Sequence, residues 1–154
     1  MNVARLVTPL LLAASTSLCP VALPAQASSV PPTGLFGTWR TTGGAVVATE
    51  PCSSGLCLRV LTLSPNAPGD HDERNPNPSL RNRPICKLEI GQGFTPTGNQ
   101  ALGGHIYDPL SGKTYKATLK LAAPDTLNLH GYIGFSFIGR TETWHRAPLT
   151  SPCG

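Results

Sequence analysis

Thr114-Tyr115-Lys116-Ala117-Thr118-Leu119-Lys120-Leu121 is the stretch on which the fold turns. Tyr115, Ala117, Leu119 and Leu121 alternate with Thr114, Lys116, Thr118 and Lys120, so an extended chain presents one apolar face and one wet face. Just before it, Asp108-Pro109-Leu110-Ser111-Gly112 reads as a hairpin turn, in which Pro109 presets φ and Gly112 is free to take a positive φ. A strand over 104–107 therefore feeds the strand over 114–121. After it, Pro124-Asp125 turns the chain into 126–131, where Leu127 and Leu129 sit opposite Asn128 and His130. Three strands joined by tight turns form a meander.

Further strands are expected at 35–41, 45–50, 56–63 and 85–90, and 141–146 closes the chain. Sixteen glycines and sixteen prolines punctuate the sequence every few residues, and no mature stretch sustains apolar residues at helical spacing. The chain is therefore all-β. About eight antiparallel strands in a meander solve their edge problem by closing, which predicts an up-and-down barrel, with a sandwich as the alternative. A barrel of eight strands has an interior that side chains fill or that holds one small ligand. One connection, 64–84, is rich in Pro, Asn and charge and is longer than ordinary loops, so it is read as functional or as a lid.

The amino-terminal residues have the pattern of an export signal. Arg5 precedes an apolar stretch over 6–14, and Ala25-Gln26-Ala27 is a small-x-small cleavage site. The apolar stretch is too short to span a bilayer. The expectation is a signal peptide over 1–27, cleaved near Ala27, followed by one barrel domain over 28–154 in the periplasm or outside the cell. Cys19 follows Leu18 where a lipidation signal wants a small residue, so it is read as a discarded signal-region cysteine. Loss of Arg5 leaves 11 Lys and Arg against 8 acidic residues, a mature net charge of +3. These charges form no run and no aromatic-basic stripe, which argues against a nucleic-acid partner. Nothing in the pattern addresses oligomeric state.

Cys52, Cys57, Cys86 and Cys153 remain after cleavage. An even number in an exported chain reads as two disulfides, for which sequence allows three pairings. Pro51 and Ser53-Ser54-Gly55 mark a tight turn that favours Cys52 with Cys57, leaving Cys86 with Cys153. Neither a C-x-x-C redox motif nor a zinc-finger spacing is present.

Further residues form a family pattern. Gly37-Thr38-Trp39 opens the first strand and Cys52 and Cys57 follow. Then come Asp72-Glu73-Arg74-Asn75-Pro76, Leu80-Arg81-Asn82-Arg83-Pro84, Gly103-Gly104-His105-Ile106-Tyr107-Asp108-Pro109 and Ser111-Gly112-Lys113-Thr114-Tyr115. Gly131-Tyr132-Ile133-Gly134 and Gly139-Arg140-Thr141-Glu142-Thr143-Trp144-His145-Arg146 complete it. Together they resemble the exported bacterial family called domain of unknown function twenty-one forty-seven, over nearly the whole mature chain. The resemblance implies a lipocalin-like barrel without an established chemistry; Cys86 departs from the glycine more usual there. The opening G-x-W also resembles the lipocalin signature, which implies that Trp39 sits at the closed end of the barrel under Arg146 from the last strand.

Candidate chemistry is sparse. Asp70-His71-Asp72-Glu73-Arg74-Asn75 clusters calcium-type donors, but it lacks the glycine and distant glutamate of an EF-hand loop, and an Asx-rich turn explains it better. His71, His105, His130 and His145 have no metal-ligand spacing, so no metal is expected, and no cofactor motif is present. No serine sits in G-x-S-x-G and no disulfide-free cysteine remains. An envelope enzyme built on Asp72, His105 and Arg140 is the catalytic alternative, and a packed barrel acting through protein contacts is a third reading. The favoured reading is a binding protein that is not an enzyme. It would hold a small, partly apolar ligand, with Tyr107, Tyr115, Ala117, Tyr132 and Phe135, and with them Phe137, as candidate lining residues.

Overall fold

The computed structural model describes residues 34–148 and Cys153; the expected signal peptide lies outside them. Eight strands follow one another: β1 (Gly37–Arg40), β2 (Val46–Cys52), β3 (Gly55–Thr62), β4 (Glu89–Thr97), β5 (Gln100–Asp108), β6 (Lys113–Ala123), β7 (Thr126–Tyr132) and β8 (Gly139–Arg146). Each pairs antiparallel with the next, and β8 returns to β1 through Trp39 opposite Arg146 and Arg40 opposite His145. The result is a closed up-and-down barrel, and the sandwich is excluded. No helix among the described residues is long and apolar enough to cross a membrane.

The alternation of β6 appears as expected. Ala117 and Leu119 are fully buried, while Lys116 and Lys120 face solvent. Their inward neighbours Leu127 and Leu129 on β7, Leu56 and Leu58 on β3, and Phe94 on β4 fill the lower half of the barrel. Both expected disulfides form, Cys52 with Cys57 and Cys86 with Cys153, a chemistry that fits an oxidising, extracellular-type compartment.

Two strand positions differ from the sequence expectation. The strand expected at 85–90 is displaced to Glu89–Thr97, because 85–88 instead forms a turn closed by the Leu88 amide donating to the Ile85 carbonyl at 3.0 Å. Gly91, Gly93 and Pro96 disguise the real strand. A side chain at Gly91 would lie 2.6 Å from Leu58 Cδ1, so the glycine lets Leu58 pack inward. Strand β5 likewise begins at Gln100, before the expected 104, and absorbs a bulge between Ala101 and Gly104 where Gly103 takes φ +76°.

Tight turns joining β2 to β3, β4 to β5 and β6 to β7 lie at one end. There Arg146 Cζ stands 4.0 Å from the centroid of the Trp39 ring. Its guanidinium donates to the carbonyls of Phe36, Gly34 and Pro124 at 2.7–3.0 Å. Trp39 Nε1 donates to Thr49 Oγ1 at 3.0 Å, and that hydroxyl donates to the Leu35 carbonyl at 2.6 Å. Both polar atoms under the plug are thus paired, which is what permits Trp39 to be fully buried.

Candidate functional site

The opposite end carries the connections β1–β2, β3–β4, β5–β6 and β7–β8, and a cavity of about 420 Å³ opens among them. That volume lies in the range of small-molecule sites. Its wall is mainly apolar: Val47, Val60, Ile90, Ile106, Leu129 and Trp144 come from six strands, and Tyr115 of β6 adds a polar tip. Arg140 and Glu142, two apart on β8 and so on the same strand face, carry charge to the rim. Glu142 Oε2 accepts from Trp144 Nε1 at 3.2 Å. The Asp108 carboxylate is engaged by its own turn, accepting from the Leu110 amide at 3.0 Å and Ser111 Oγ at 2.7 Å.

The segment 64–84 forms part of the mouth. Ser64 and Ala67 at its start and Ile85 just after its end line the cavity. Between them the chain folds on itself, with the Asp72 amide donating to the Arg83 carbonyl at 3.0 Å and the Ile85 amide to the Asp70 carbonyl at 2.8 Å. A 3-10 turn, Pro78–Leu80, is capped by Asn77, whose side chain accepts from the Ser79 amide.

This fold-over is latched to the barrel by one carboxylate. Asp72 is fully buried, and Tyr107 Oη donates to its Oδ1 at 2.5 Å. Asn75 Nδ2 donates to Oδ2 at 2.7 Å and Arg83 Nε at 2.9 Å, while Arg83 Cζ lies 5.6 Å from the Tyr107 ring centroid. Burial, then the hydrogen bond and negative charge of Asp72, push the Tyr107 hydroxyl up to about 12. A second contact places the Arg74 carbonyl where only a glycine fits at Gly112, whose φ is +71°, and Arg74 Nη1 donates to the Leu110 carbonyl at 2.7 Å.

Of the candidate lining residues, Tyr107 and Tyr115 border the cavity. Ala117 points inward but belongs to the packed core below it. It stands opposite Gly104, where the Phe94 ring takes the space a side chain would need. Tyr132 and Phe135 do not line the cavity. Tyr132 stacks on His130 at 5.8 Å, and Phe135 stacks on Phe137 at 5.5 Å on the exposed β7–β8 loop. The reason is length: β7 ends at Tyr132, so the aromatics that follow it ride on a loop and not on an inward-facing strand. Sequence reasoning missed Val47, Val60, Ile90, Ile106 and Leu129; alternation with polar neighbours was an available signal for Leu129, between Asn128 and His130, but not for Val47, which sits between Val46 and Ala48.

The catalytic alternative is not assembled. Asp72 has its oxygens committed to Tyr107, Asn75 and Arg83, His105 is exposed on β5, and Arg140 stands on the far side of the mouth on β8. Among the described residues no group of three His, Cys, Asp or Glu side chains could hold a metal ion.

A family described as an uncharacterized protein conserved in bacteria, DUF2147, matches residues 37–146, which run from the first strand to the last. The chain belongs to this family. Among solved structures, a protein from the human pathogen Helicobacter pylori, described as belonging to the lipocalin family, superposes with a TM-score of 0.68. It is 22% identical and the match covers 76% of this chain and 85% of that one. The likeness establishes the barrel fold shared by this DUF2147 member. No curated protein matches at a significant level.

Proposed function

We propose that this DUF2147 protein is an exported, periplasmic binding protein that holds one small, partly apolar molecule in the open half of its barrel. The observation that carries the reading is the cavity. It measures about 420 Å³ and is lined by inward side chains of several strands above a core that is otherwise filled. A barrel that acted only as a packed scaffold would continue its Leu and Phe layers to the rim. Burial of ligand apolar surface, at roughly 25 cal/mol per Å², supplies the affinity, and Tyr115, Arg140 and Glu142 supply orientation. The two disulfides and the signal-like sequence pattern over 1–27 support the periplasmic placement.

Native mass spectrometry of protein isolated from the envelope of its own host tests the reading. One noncovalent adduct per chain, released by organic solvent, is expected. Protein that stays bare both as isolated and after incubation with a lipid extract of that host would refute it.

A further inference from the structure

The β7–β8 loop leaves its apolar side chains outside. Ile133, Phe135, Phe137 and Ile138 are 66%, 69%, 81% and 62% exposed, and from Tyr132 to Gly139 the sequence carries no charge. A loose loop could fold such residues inward over the adjacent apolar cavity, but this one is held in shape. His130 Nε2 lies 2.7 Å from the Ser136 carbonyl, an acceptor only, so Nε2 donates there, and Nδ1 is within hydrogen-bond distance of Thr141 Oγ1 at 2.9 Å. The Ile138 amide donates to the Phe135 carbonyl at 3.0 Å, and Phe135 and Phe137 stack on each other. One backbone hydrogen bond and the His130 contact shape the loop while its apolar side chains are presented to the outside.

The rim around the loop is slightly basic. Arg40, Arg74, Arg81, Lys87, Lys113 and Arg140 are exposed towards this end of the barrel, against exposed Asp70, Glu73 and Glu89 and the half-buried Asp108 and Glu142 of the mouth, so the cations outnumber the carboxylates only slightly and the one nearest the loop is Arg140. Arg140, two residues past the loop, pairs through its backbone with Gly131 and borders the cavity, and its side chain has no hydrogen-bond or ion-pair partner among the described residues.

We propose that the 133–138 loop is a membrane-docking tip that inserts into the interfacial zone of an anionic lipid bilayer, with Arg140 at headgroup level and the cavity mouth facing the lipid. Four apolar side chains on one protruding loop fall short of the roughly 800 Å² per partner that a stable protein interface buries. A lipid surface needs no complementary pocket: apolar tips enter the headgroup–acyl boundary while nearby cations meet the anionic headgroups. Gly131 and Arg140, which bracket the loop, both line the cavity, so docking brings the opening onto the bilayer. The inference goes beyond ligand binding and stands without it, because the loop could dock an empty barrel.

Flotation of the purified protein with vesicles of phosphatidylcholine and phosphatidylglycerol in equal parts tests it. The protein is expected to float with these vesicles, to float less with pure phosphatidylcholine, and to lose roughly tenfold or more in partitioning when Phe135→Ser and Phe137→Ser are combined, since two exposed phenyls no longer leave water. Both residues are solvent-exposed, so the thermal melt of the double variant should match the parent. In a second readout, Phe137→Trp adds an indole whose emission shifts to the blue on vesicle addition, distinct from buried Trp39 and Trp144. Parent protein that stays in the aqueous fraction overturns the proposal. So does a double variant that floats as well as the parent, or a parent dimer that the double variant converts to monomer, which would make a second copy the occupant of the loop.

Discussion

At the scale of single residues, two side chains close the barrel and its mouth by different physics. Trp39 is fully buried under a guanidinium, an arrangement that adds about 0.5 to 2 kcal/mol according to its desolvation. Its truncation removes the ring and opens a void that the rigid closed end cannot fill. Trp39→Ala is therefore expected to cost about 3 to 5 kcal/mol in urea melts, and a loss below 1 kcal/mol would show that the closed end is not packed as described. Asp72 instead anchors through charge. Its bond from Tyr107 is a hydrogen bond to an ion, so Tyr107→Phe should cost about 1.5 to 3 kcal/mol while keeping the ring. The Tyr107 hydroxyl is raised from its ordinary value near 10 up to about 12 in the folded state. The folded protein thus holds a proton that the unfolded chain has already released, and stability falls as pH rises through that window, being complete below it. Denaturant melts between pH 9 and pH 12 should show this decline in the parent and a shallower one in Tyr107→Phe; equal slopes would place Tyr107 outside the latch.

At the scale of elements, the disulfides differ in what they restrain. Cys52–Cys57 closes a turn of sequence separation 5, whereas Cys86–Cys153 closes one of 67 and ties the end of the β3–β4 connection to the carboxyl-terminal residues. Loop entropy assigns about 2 kcal/mol to the first and about 4 kcal/mol to the second. Replacing Cys86 and Cys153 together by serine should therefore lower the melting temperature more than the same change at Cys52 and Cys57, as scanning calorimetry would show. The reverse order would mean that the short bridge restrains native strain, not chain entropy. Elements also mark where the sequence was readable. The alternation of β6 and the Pro109–Gly112 turn announced themselves because each strand residue had a neighbour of opposite polarity. Strand β4 did not, because Gly91, Gly93 and Pro96 look like a loop until Leu58 is seen packing against the missing side chain of Gly91.

At the scale of the whole molecule, counting strands predicted a barrel but left open whether its interior was full. The answer depends on the register between strands, which sets Phe94 into the space at Gly104 and so fills the barrel at the level of Ala117, leaving the cavity one layer higher at Tyr115. Register is a long-range property that no single strand encodes. The same limit explains Phe135 and Phe137: apolar composition suggested an inward face, yet β7 ends before them and they emerge on a loop. The charged latch at Asp72 was invisible for a related reason, since Asp72, Arg83 and Tyr107 are distant in sequence and meet only once the 64–84 segment folds back.

The cavity's role as the binding site is tested most directly by filling it. Ile90 borders the cavity and is only half-buried, so Ile90→Trp can occupy the void without breaking the packed core beneath. Titration with an apolar fluorescent probe should give one saturable site per chain in the parent and at least a tenfold weaker one in Ile90→Trp, with the melting temperature retained. Equal probe affinity in a folded Ile90→Trp protein would contradict the account, because the probe would then be binding somewhere other than the barrel.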